Sequence, residues 1–449
     1  MRYQRGFVLR VVCWIAGLMI LAAAAVFGIN ATDEELTELA RNAMSVPPAP
    51  PTSSSNGYTD FLALDEISID TRLKKSCGPE PGRCLKFASD NPELVQLSAR
   101  DDEFAARYLA MRSKAEFVDL HEDTGPDGRI PHYGYLIWGQ GRSLTYAASL
   151  ANRGRLETAV TELEAENAFH RRVATGARSL ITKMVGLSTL QRDAFFASEL
   201  ARIPGKQATA VLGRLLAVVR PLAEVEIDVR KSHEIERAQR ISWMQTRRYV
   251  RLSDDYYRFF KESFELELSR PWWDPIAPYL YRPHQSINRY VTQTEILHGV
   301  AELPATEYAT GAAAAYEKAR ALSPRGLASI FVNPVGNRHP YLSVAPGGLV
   351  NKEGYTAYFA RARATQAIYT MVALQIRLRD AGITRPSAVE HAQEGPLFRA
   401  HPDPFTGKPM RFDPNTRTIG FKSPVVMGGT SPSLYERYGR VAVEVAIAP

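Results

Sequence analysis

The sequence predicts a mainly α-helical protein with an N-terminal transmembrane helix, an exported domain built from helical hairpins and a small β-element near the C-terminus. The chain of 449 residues opens with an uncharged apolar run, which is typical of a membrane-spanning helix. In the long middle region, apolar residues recur every three or four positions, which is the spacing of an amphipathic helix. Near the C-terminus, Pro and Gly become dense and short extended pieces follow. Because 45% of the residues are hydrophobic, the composition excludes a disordered chain.

The first element is a membrane anchor at residues 11–30. The nineteen residues from Val11 to Ile29 carry no charge, and about 20 apolar residues cross a hydrocarbon core of roughly 30 Å. Three arginines lie in the tail 1–10 and acidic residues follow the run, so the positive-inside rule keeps the tail in the cytoplasm. We expect a single-pass protein of the bacterial inner membrane, with lipid contact through residues 11–30 and its bulk in the periplasm. The alternative is a signal peptide cleaved near the small residues 22–25.

Residues 31–57 predict a short helix and a Pro/Ser-rich linker. Thr32, followed three residues later by Glu35, is typical of a capping box, so a helix is expected from there to about Met44. Residues 45–57 read SVPPAPPTSSSNG, in which Pro stiffens the chain and Ser and Gly keep it solvated. We interpret this linker as a stalk that holds the following domain away from the bilayer.

Residues 58–350 are the predicted helical periplasmic domain, and residues 351–449 are a C-terminal block with one long helix and a small β/loop element. In the domain, the helical pattern begins near Trp138 and resumes after Gly154. Further helices are expected at about 174–202, 207–219, 222–267, 286–300 and 304–321. The C-terminal block starts with a helix at about 354–381 and continues into extended pieces such as MRFDP and RTIGFKS.

Cys77 and Cys84 form a lone C-x6-C pair in a segment rich in Pro and Gly. After export to an oxidising compartment, this spacing can close a small disulfide loop, which stabilises the fold by restricting the unfolded chain. A metal site needs about four ligands, and no His or further Cys lies near the pair in the sequence. The sequence therefore predicts a structural disulfide.

The sequence contains none of the catalytic motifs that we sought. It has no nucleophile elbow, no phosphate-binding loop, no dinucleotide fingerprint and no pair of histidines four residues apart. Glu162, Glu164 and Glu166 alternate along a helix and are assigned to solvated faces. The sequence therefore predicts no cofactor and no metal, and it favours a protein that is not an enzyme.

An aromatic run provides a candidate binding surface. It contains Trp272, Trp273, Tyr279 and Tyr281, and it ends at His284. Exposed aromatic rings can stack on sugar rings, which is the only support for an envelope polysaccharide or peptidoglycan hydrolase. The alternative is that these rings pack in the helical core.

The segment DPFTGKP, residues 403–409, is a predicted structural loop. The side chain of Asp403 can accept hydrogen bonds from backbone N–H groups of the loop, and Gly407 can take a positive φ. The apolar side chains in and after the loop are expected to pack on the long helix at about 354–381. Ca²⁺ binding at Asp403 is the alternative, although the sequence shows too few further oxygen ligands.

Several segments together resemble a family of uncharacterised proteobacterial inner-membrane-anchored proteins with a helical periplasmic domain. These segments are NGY with FLAL at 56–64, the Cys77/Cys84 pair, SLITKMVGLSTLQRD at 179–193, NPVGN at 333–337 and DPFTGKPMRFD at 403–413. The resemblance implies a location and a helical fold, and it carries no activity.

The C-terminal block is also similar to the end of type II secretion pseudopilins, because an aliphatic helix is followed there by a loop, D-P-x-x-G-x-P and a short strand. Residues 6–9, GFVL, resemble a prepilin cleavage site. The chain departs from that pattern because Val11 stands where the pattern has Glu, and Arg10 lies inside the stretch. The similarity implies a pseudopilin-like subunit that is processed after Gly6.

The anchor, the linker, the helical hairpins and the missing motifs favour a binding or scaffold protein, or an envelope-assembly protein, with other envelope proteins as partners. The alternatives are the envelope hydrolase and the pseudopilin-like subunit. Nucleic acid is not an expected partner, because the bulk is exported and acidic residues bracket the basic cluster at 237–251.

Overall fold

The computed structural model of the chain falls into two compact units. It describes residues 2–45, 48–51, 53–67, 72, 77, 83–99, 102–120, 131–245, 278–323, 331–338, 354–421 and 443–446. Unit 1 comprises Met1–Val46, Arg237–Gly299 and Ala313–Tyr355, and unit 2 comprises Pro47–Glu236, Val300–Ala312 and Thr356–Pro449. Each unit is assembled from pieces that are distant in sequence, whereas the sequence-based division followed the chain order with limits at 58–350 and 351–449.

The described residues are mainly α-helical, which confirms the predicted fold class. The helices are α1 Arg2–Ala31, α2 Glu38–Ala43, α3 Gly57–Ala63, α4 Cys84–Asp90, α5 Pro92–Ser98, α6 Glu103–Ser113, α7 Gly134–Asn152, α8 Leu156–Gly176, α9 Leu180–Leu200, α10 Lys206–Val218, α11 Glu224–Ile227, α12 Arg230–Gln245, α13 Pro283–His298, α14 Tyr308–Ala321, α15 Pro334–Arg338, α16 Gly354–Asp380, α17 Pro386–Ala392 and α18 Pro396–Ala400. Short 3₁₀ turns lie at Leu64–Glu66, Gly299–Glu302 and Ala305–Glu307. The strands β1 Arg411–Asp413, β2 Thr418–Phe421 and β3 Val443–Ala446 form an antiparallel sheet in that order.

Helix α1 contains the apolar helix that the sequence predicts at residues 11–30. Its segment Arg10–Asn30 has a mean hydropathy of 2.4, and its most apolar window is not buried inside the protein. Within the described part of the chain, this is the one helix long and apolar enough to cross a membrane.

Helix α2 begins later than the capping pattern at Thr32 predicts. It starts at Glu38, and its N-cap is Thr37, whose Oγ1 accepts a hydrogen bond from the N–H of Ala40 at 3.2 Å. The preceding acidic residues, Asp33 and Glu34, do not enter the helix because their carboxylates accept hydrogen bonds from residues of α13.

The predicted helix at 222–267 is broken within its described part. Helix α11 ends at Ile227 and α12 begins at Arg230. Asp228 accounts for the break, because its carboxylate accepts hydrogen bonds from the backbone N–H and the guanidinium of Arg230. Residues 246–267 lie outside the described residues.

The centre of unit 2 is made of α7, α8 and α9, with α8 packed against both neighbours. Gly154 joins α7 to α8 with a φ of +76°, a conformation that glycine adopts without steric cost. Small residues allow close helix contacts. A Cβ on Gly186 of α9, for example, would lie 3.1 Å from the Cα of Ala174 on α8.

Cys77 and Cys84 form the predicted disulfide, with their Cα atoms 5.3 Å apart. The N–H groups of Cys84 and Leu85, at the start of α4, each donate to the carboxylate of Glu199 on α9 at 2.8 Å. The N–H of Cys77 donates to Oγ1 of Thr145 on α7, also at 2.8 Å. The two cysteines of the disulfide are therefore attached to helices at the centre of unit 2.

The loop after α18 has the geometry that its sequence pattern predicts. The carboxylate of Asp403 accepts hydrogen bonds from the N–H of Phe405 at 2.9 Å and from the hydroxyl of Thr406 at 2.8 Å. Gly407 has a φ of +66°. Apolar side chains of the loop, of β1 and of β2 share one buried cluster with α16, so the loop and hairpin pack in the core of unit 2.

Candidate functional site

The centre of unit 2 contains a buried network of ionisable side chains. Glu166 and His170 lie one turn apart on α8, and Asp193 reaches them from α9. Nδ1 of His170 is 2.7 Å from Oδ2 of Asp193, and Nε2 of His170 is 3.5 Å from Oε2 of Glu166. All three residues are at most 1% exposed. Such groups need protein partners, because burial removes the water that would otherwise solvate them.

Two neighbouring helices supply further partners. From α6, the hydroxyl of Tyr108 donates to Glu166 at 2.9 Å, and the guanidinium of Arg112 donates to the same carboxylate at 2.6 Å. From α7, the side-chain amide of Gln140 donates to Asp193 at 2.7 Å. Burial and the adjacent Glu166 carboxylate raise the pKa of Tyr108, so its hydroxyl remains a donor. The network therefore links α6, α7, α8 and α9.

The position of Glu166 corrects an expectation from the sequence. Glu166 was assigned to a solvated face, yet it is fully buried. Residues two apart on a helix lie on different faces, and the face of Glu166 is the one that packs in the core. The sequence carries a signal for this, because Leu163, Glu166, His170 and Val173 follow one another at the spacing of three or four that marks a buried stripe.

This network joins the buried faces of four helices in unit 2. His170 lies between two carboxylates and is 1% exposed, so a substrate cannot reach its ring in this conformation. A general acid or base must lie within hydrogen-bond reach of the atom that it protonates or deprotonates. We therefore regard the network as the support for a neighbouring cleft.

Two further residues of α8 connect the network to the cleft. Asn167 donates to the hydroxyl of Tyr369 on α16 at 2.7 Å and accepts a hydrogen bond from Nε of Arg171 at 3.0 Å. The guanidinium of Arg171 donates to both carboxylate oxygens of Glu226, at 3.0 and 2.9 Å. Both hydrogen bonds come from Nη1 of Arg171. Because Arg171 and Glu226 are both buried, this charge-assisted pair holds one part of the cleft wall in place.

The cleft has a volume of about 540 Å³, which is within the range of small-molecule sites. It is lined by residues of α8 between Glu164 and Gly176, by residues 115–118, and by Ala217, Val218, Arg220 and Glu226. Its apolar lining residues are Ala115, Phe117, Val118, Ala168, Ala217 and Val218. The cleft therefore combines apolar walls with a few charged groups.

Each carboxylate of the lining already has a partner. Glu164 accepts two hydrogen bonds from the guanidinium of Arg214, at 2.9 and 2.5 Å, and Glu226 is paired as described above. Glu116 accepts hydrogen bonds from the hydroxyl and the backbone N–H of Ser53, at 2.6 and 2.7 Å. These two hydrogen bonds lower the pKa of Glu116, so this carboxylate is ionised at neutral pH.

Two arginines of the lining are less well compensated. Arg172 donates to the backbone carbonyl of Arg112 at 2.6 Å, but its buried Nε has no hydrogen-bond partner among the described residues. Burial lowers the pKa of Arg172. Arg220 approaches Glu226 only at 3.9 Å, and its side chain is 57% exposed. These two guanidinium groups are therefore the ones in the lining that can take an additional anion.

A close backbone contact shapes the cleft at the end of α8. The carbonyl of Gly176 accepts a hydrogen bond from the N–H of Asp119 at 3.0 Å. A Cβ on Gly176 would lie 1.6 Å from the carbonyl oxygen of Phe117, which is far inside the contact distance. The absence of a side chain at residue 176 thus allows Phe117 and Val118 to line the cleft.

Lys183 of α9 connects the end of α8 to α11, the helix that carries Glu226. Its ammonium group donates to the backbone carbonyl of Ala174 and, at 3.0 Å, to that of Val225. Burial lowers the pKa of Lys183 to about 8, and the nearby Asp228 only partly opposes this. Lys183 therefore positions a wall of the cleft and does not line it.

The aromatic run that the sequence offered as a binding surface is described only in part. Trp272 and Trp273 lie outside the described residues. Tyr279 is 63% exposed, whereas Tyr281 is fully buried and donates its hydroxyl to the backbone carbonyl of Met244 at 2.8 Å. A ring inside the core cannot stack on a sugar, so Tyr281 has the packing role that was the alternative interpretation.

The other candidate residues from the sequence have structural contacts. The N–H of His284 donates to Asp33 at 2.7 Å, and its ring Nδ1 lies 2.8 Å from the carbonyl of Glu34. Asp403 uses both carboxylate oxygens within its own loop, which Gly407 closes. Neither group lies in the lining of the cleft.

Comparisons with known proteins leave the site defined by its geometry alone. No protein-family model, no curated protein and no solved structure matches this chain. In the part of the chain that the structure describes, no three His, Cys, Asp or Glu side chains are arranged to hold a metal ion. The candidate site is therefore the cleft with Arg172 and Arg220.

Proposed function

We propose that this chain is a membrane-anchored binding protein of the bacterial envelope and that the cleft of unit 2 binds a small anionic ligand with an apolar body. Helix α1 anchors the chain in the inner membrane by a single pass, and the bulk of the protein lies in the periplasm. The N-terminal arginines support this orientation. The Cys77–Cys84 disulfide also supports it, because disulfides persist in oxidising compartments. Other envelope proteins are the expected macromolecular partners.

The observation that carries the proposal is the incompletely compensated charge of Arg172. A partly buried guanidinium has lost hydration, and a nearby anion or a set of acceptors offsets that loss more fully than an aromatic ring does. Arg172 has one carbonyl acceptor and an unbonded Nε, and its guanidinium carbon lies 5.8 Å from the centre of the Phe169 ring. No ion pair of this arginine is found among the described residues. A carboxylate or a phosphate in the cleft would compensate the charge of the Arg172 guanidinium, which lines the cleft, since both anions match the donor geometry of a guanidinium.

The apolar walls indicate what the rest of the ligand resembles. Phe117, Val118 and Val218 present hydrocarbon surface beside the two arginines. Apolar area that a ligand removes from water contributes about 25 cal/mol per Å². An anion with a short alkyl or aromatic body therefore pairs with the arginines and also buries the apolar walls. A fully polar anion leaves those apolar walls exposed to water.

Ligand-observed NMR with the full-length protein in lipid nanodiscs tests this proposal. The probes are hexanoate and phenyl phosphate, with hexanol and phenol as uncharged matches. We expect saturation transfer from the protein to both anions and markedly less transfer to the alcohols. Replacing Arg172 by Gln should weaken anion binding roughly ten- to one-hundredfold, because a hydrogen bond to a charged group contributes about 1.5–3 kcal/mol.

Arg107→Gln is the matched control for this experiment. Arg107 is an arginine of unit 2 that pairs with Glu103 at 2.8 Å and does not line the cleft. Its replacement should leave anion binding unchanged. Equal binding of the anions to the wild type and to Arg172→Gln, with both proteins melting at the same temperature, would contradict the proposal.

A further inference from the structure

The end of helix α1 is built into the fold of unit 1. Asn30, in the last turn of α1, donates its side-chain amide to the backbone carbonyls of Val26 at 2.7 Å and Phe331 at 2.8 Å. Its side-chain oxygen accepts a hydrogen bond from the N–H of Asn333 at 2.7 Å. Because Asn30 is buried by these contacts, Phe331 lies beside the last turn of the anchor.

The residues that follow α1 are also hydrogen-bonded to unit 1. The carboxylate of Asp33 accepts hydrogen bonds from the N–H groups of His284 at 2.7 Å and Gln285 at 3.1 Å, so it caps the N-terminus of α13. The side-chain amide of Asn288 donates to Glu34 at 2.8 Å. The chain that leaves α1 is therefore bound directly to α13 before it reaches the linker at residues 45–57.

The length of α1 places this joint at the level of the lipid head groups. The apolar segment Arg10–Asn30 is 21 residues long, and at about 1.5 Å per residue it spans roughly 31 Å. The hydrocarbon core of a bilayer is about 30 Å thick. If α1 crosses the membrane, Asn30 therefore lies where the hydrocarbon ends, and so does the adjoining Phe331.

Two exposed aromatic side chains are found in this part of unit 1. Phe331 is 39% exposed although its carbonyl is bonded to Asn30. Tyr279 is 63% exposed and lies three residues before Arg282, whose Nε approaches Asp33 at 3.8 Å. Aromatic residues are enriched at membrane interfaces, where the ring enters the acyl boundary and a polar group stays in water.

We propose that Phe331 and Tyr279 form a lipid-contacting surface of unit 1 at the periplasmic end of α1, with the phospholipid interface of the inner membrane as its partner. This inference rests on the proposed anchoring by α1, because the surface is continuous with that helix. With this surface in contact with lipid, unit 1 lies on the bilayer surface. The ligand cleft of unit 2 takes no part in it.

Site-specific fluorescence quenching with the full-length chain tests this surface. The chain is reconstituted in vesicles of phosphatidylethanolamine and phosphatidylglycerol at a ratio of 3:1. Cys13, the free cysteine, is replaced by Ala, and single cysteines are introduced by Phe331→Cys and Tyr279→Cys and labelled with an environment-sensitive dye. The quenchers are a lipid with a nitroxide near its head group and aqueous iodide. We expect loss of emission with the nitroxide lipid and protection from iodide at both positions.

Two further positions make the result interpretable. Ile29→Cys in α1 reports whether the anchor is embedded. Leu322→Cys is the matched control, because Leu322 belongs to unit 1 and is 42% exposed. Leu322 adjoins Ser323, whose hydroxyl accepts a hydrogen bond from the side-chain amide of Gln293 at 3.0 Å. Gln293 lies ten residues along α13 from Pro283, the first residue of that helix, which corresponds to about 15 Å along the helix axis. We expect quenching of position 29 by the nitroxide lipid and quenching of position 322 by iodide.

The possible outcomes separate this inference from the proposed anchoring. If position 29 responds to the nitroxide lipid but positions 331 and 279 respond to iodide, the anchor is present and the surface proposal is overturned. A lack of response to either quencher at 331 and 279 means that protein covers the surface, which also overturns it. If position 29 responds only to iodide, the anchoring fails and the surface proposal fails with it. Circular dichroism melting checks that each labelled variant is folded.

Discussion

Two adjacent arginines of α8, Arg171 and Arg172, have different electrostatic surroundings. Arg171 donates twice to the carboxylate of Glu226 and also to the backbone carbonyl of Arg220. The next residue, Arg172, has a single carbonyl acceptor and an unbonded Nε among the described residues. Successive side chains of an α-helix point about 100° apart, so adjacent arginines meet different surroundings. The candidate ligand site depends on this difference.

Gly176 provides a test of the cleft at the scale of one residue. Gly176→Ala places a methyl group against the carbonyl oxygen of Phe117, where the added Cβ would lie at 1.6 Å. We expect the free energy of unfolding to fall by about 2 kcal/mol, since overpacking a tight contact typically costs 1–3 kcal/mol. Denaturant unfolding of the full-length chain measures the change, and NMR with phenyl phosphate reports whether the cleft still binds.

Gly213 on α10 is the matched control, because a Cβ added there meets no atom within 4 Å. Gly213→Ala should stabilise the protein by about 0.5–1 kcal/mol, since alanine is the better helix former. Similar effects of the two substitutions on the free energy of unfolding would show that the contact between Gly176 and Phe117 does not constrain the structure.

At the scale of secondary-structure elements, α8 combines two roles. Its buried face places Leu163 in one apolar cluster and Phe169 and Val173 in another. The same helix supplies Glu166 and His170 to the buried network. Its C-terminal half also lines the cleft. A single helix therefore contributes side chains to both the network and the cleft, and its backbone fixes the distance between them.

The loop Asp403–Gly407 gives a prediction at the scale of an element. Gly407 has a φ of +66°, and a Cβ there would meet only the methyl group of Thr306 at an ordinary 3.6 Å. Gly407→Val should therefore destabilise through the backbone alone, by about 1–2 kcal/mol, because side chains disfavour the left-handed conformation. Gly407→Asn should cost less, since asparagine tolerates this conformation. Equal melting temperatures for the wild type and the Val variant would refute this role of the loop.

At the scale of the whole molecule, distant parts of the chain meet in each unit. In unit 1, the end of α1 and the residues just after it contact residues about 250 to 300 positions later. The hydrogen bonds from Asn30 to Phe331 and from Asn288 to Glu34 show this. In unit 2, Asn167 of α8 contacts Tyr369 of α16. The native state of each unit therefore needs both its early and its late segments.

This arrangement predicts that α1 is retained in the mature protein. Helix α1 runs without interruption from Arg2 to Ala31, and its last turn forms hydrogen bonds with unit 1. We expect the membrane fraction to contain the uncleaved chain of 49.9 kDa, released by detergent and not by alkaline carbonate. Intact-mass spectrometry of the purified protein measures this. A shorter chain that begins near residues 22–25 would support the signal-peptide alternative, and one that begins after Gly6 would support prepilin-type processing.

The sequence could predict the elements better than the site. Apolar spacing is a local property of the chain, and it predicted the positions of α9, α10, α13 and α16 to within a few residues. The exception is the N-terminus of α9. The loop at Asp403 and the disulfide were also predictable, since each depends on residues close in sequence. The break at Asp228 and the late start of α2 were missed, because polar side chains there find tertiary or turn partners that compete with helix formation.

The sequence by itself determined that this protein has one apolar helix near its N-terminus, a mainly helical fold and a disulfide between Cys77 and Cys84. These features depend on residue type and on the spacing of residues close in sequence, and this spacing determines where a helix forms and whether it can span a membrane. Only the tertiary structure decided which charged residues are paired. Arg171 found Glu226, 55 positions away, and Arg172 next to it found no carboxylate among the described residues. The free energy of a charge depends on the groups packed around it, and packing brings together residues whose distance along the chain carries no information about their contact.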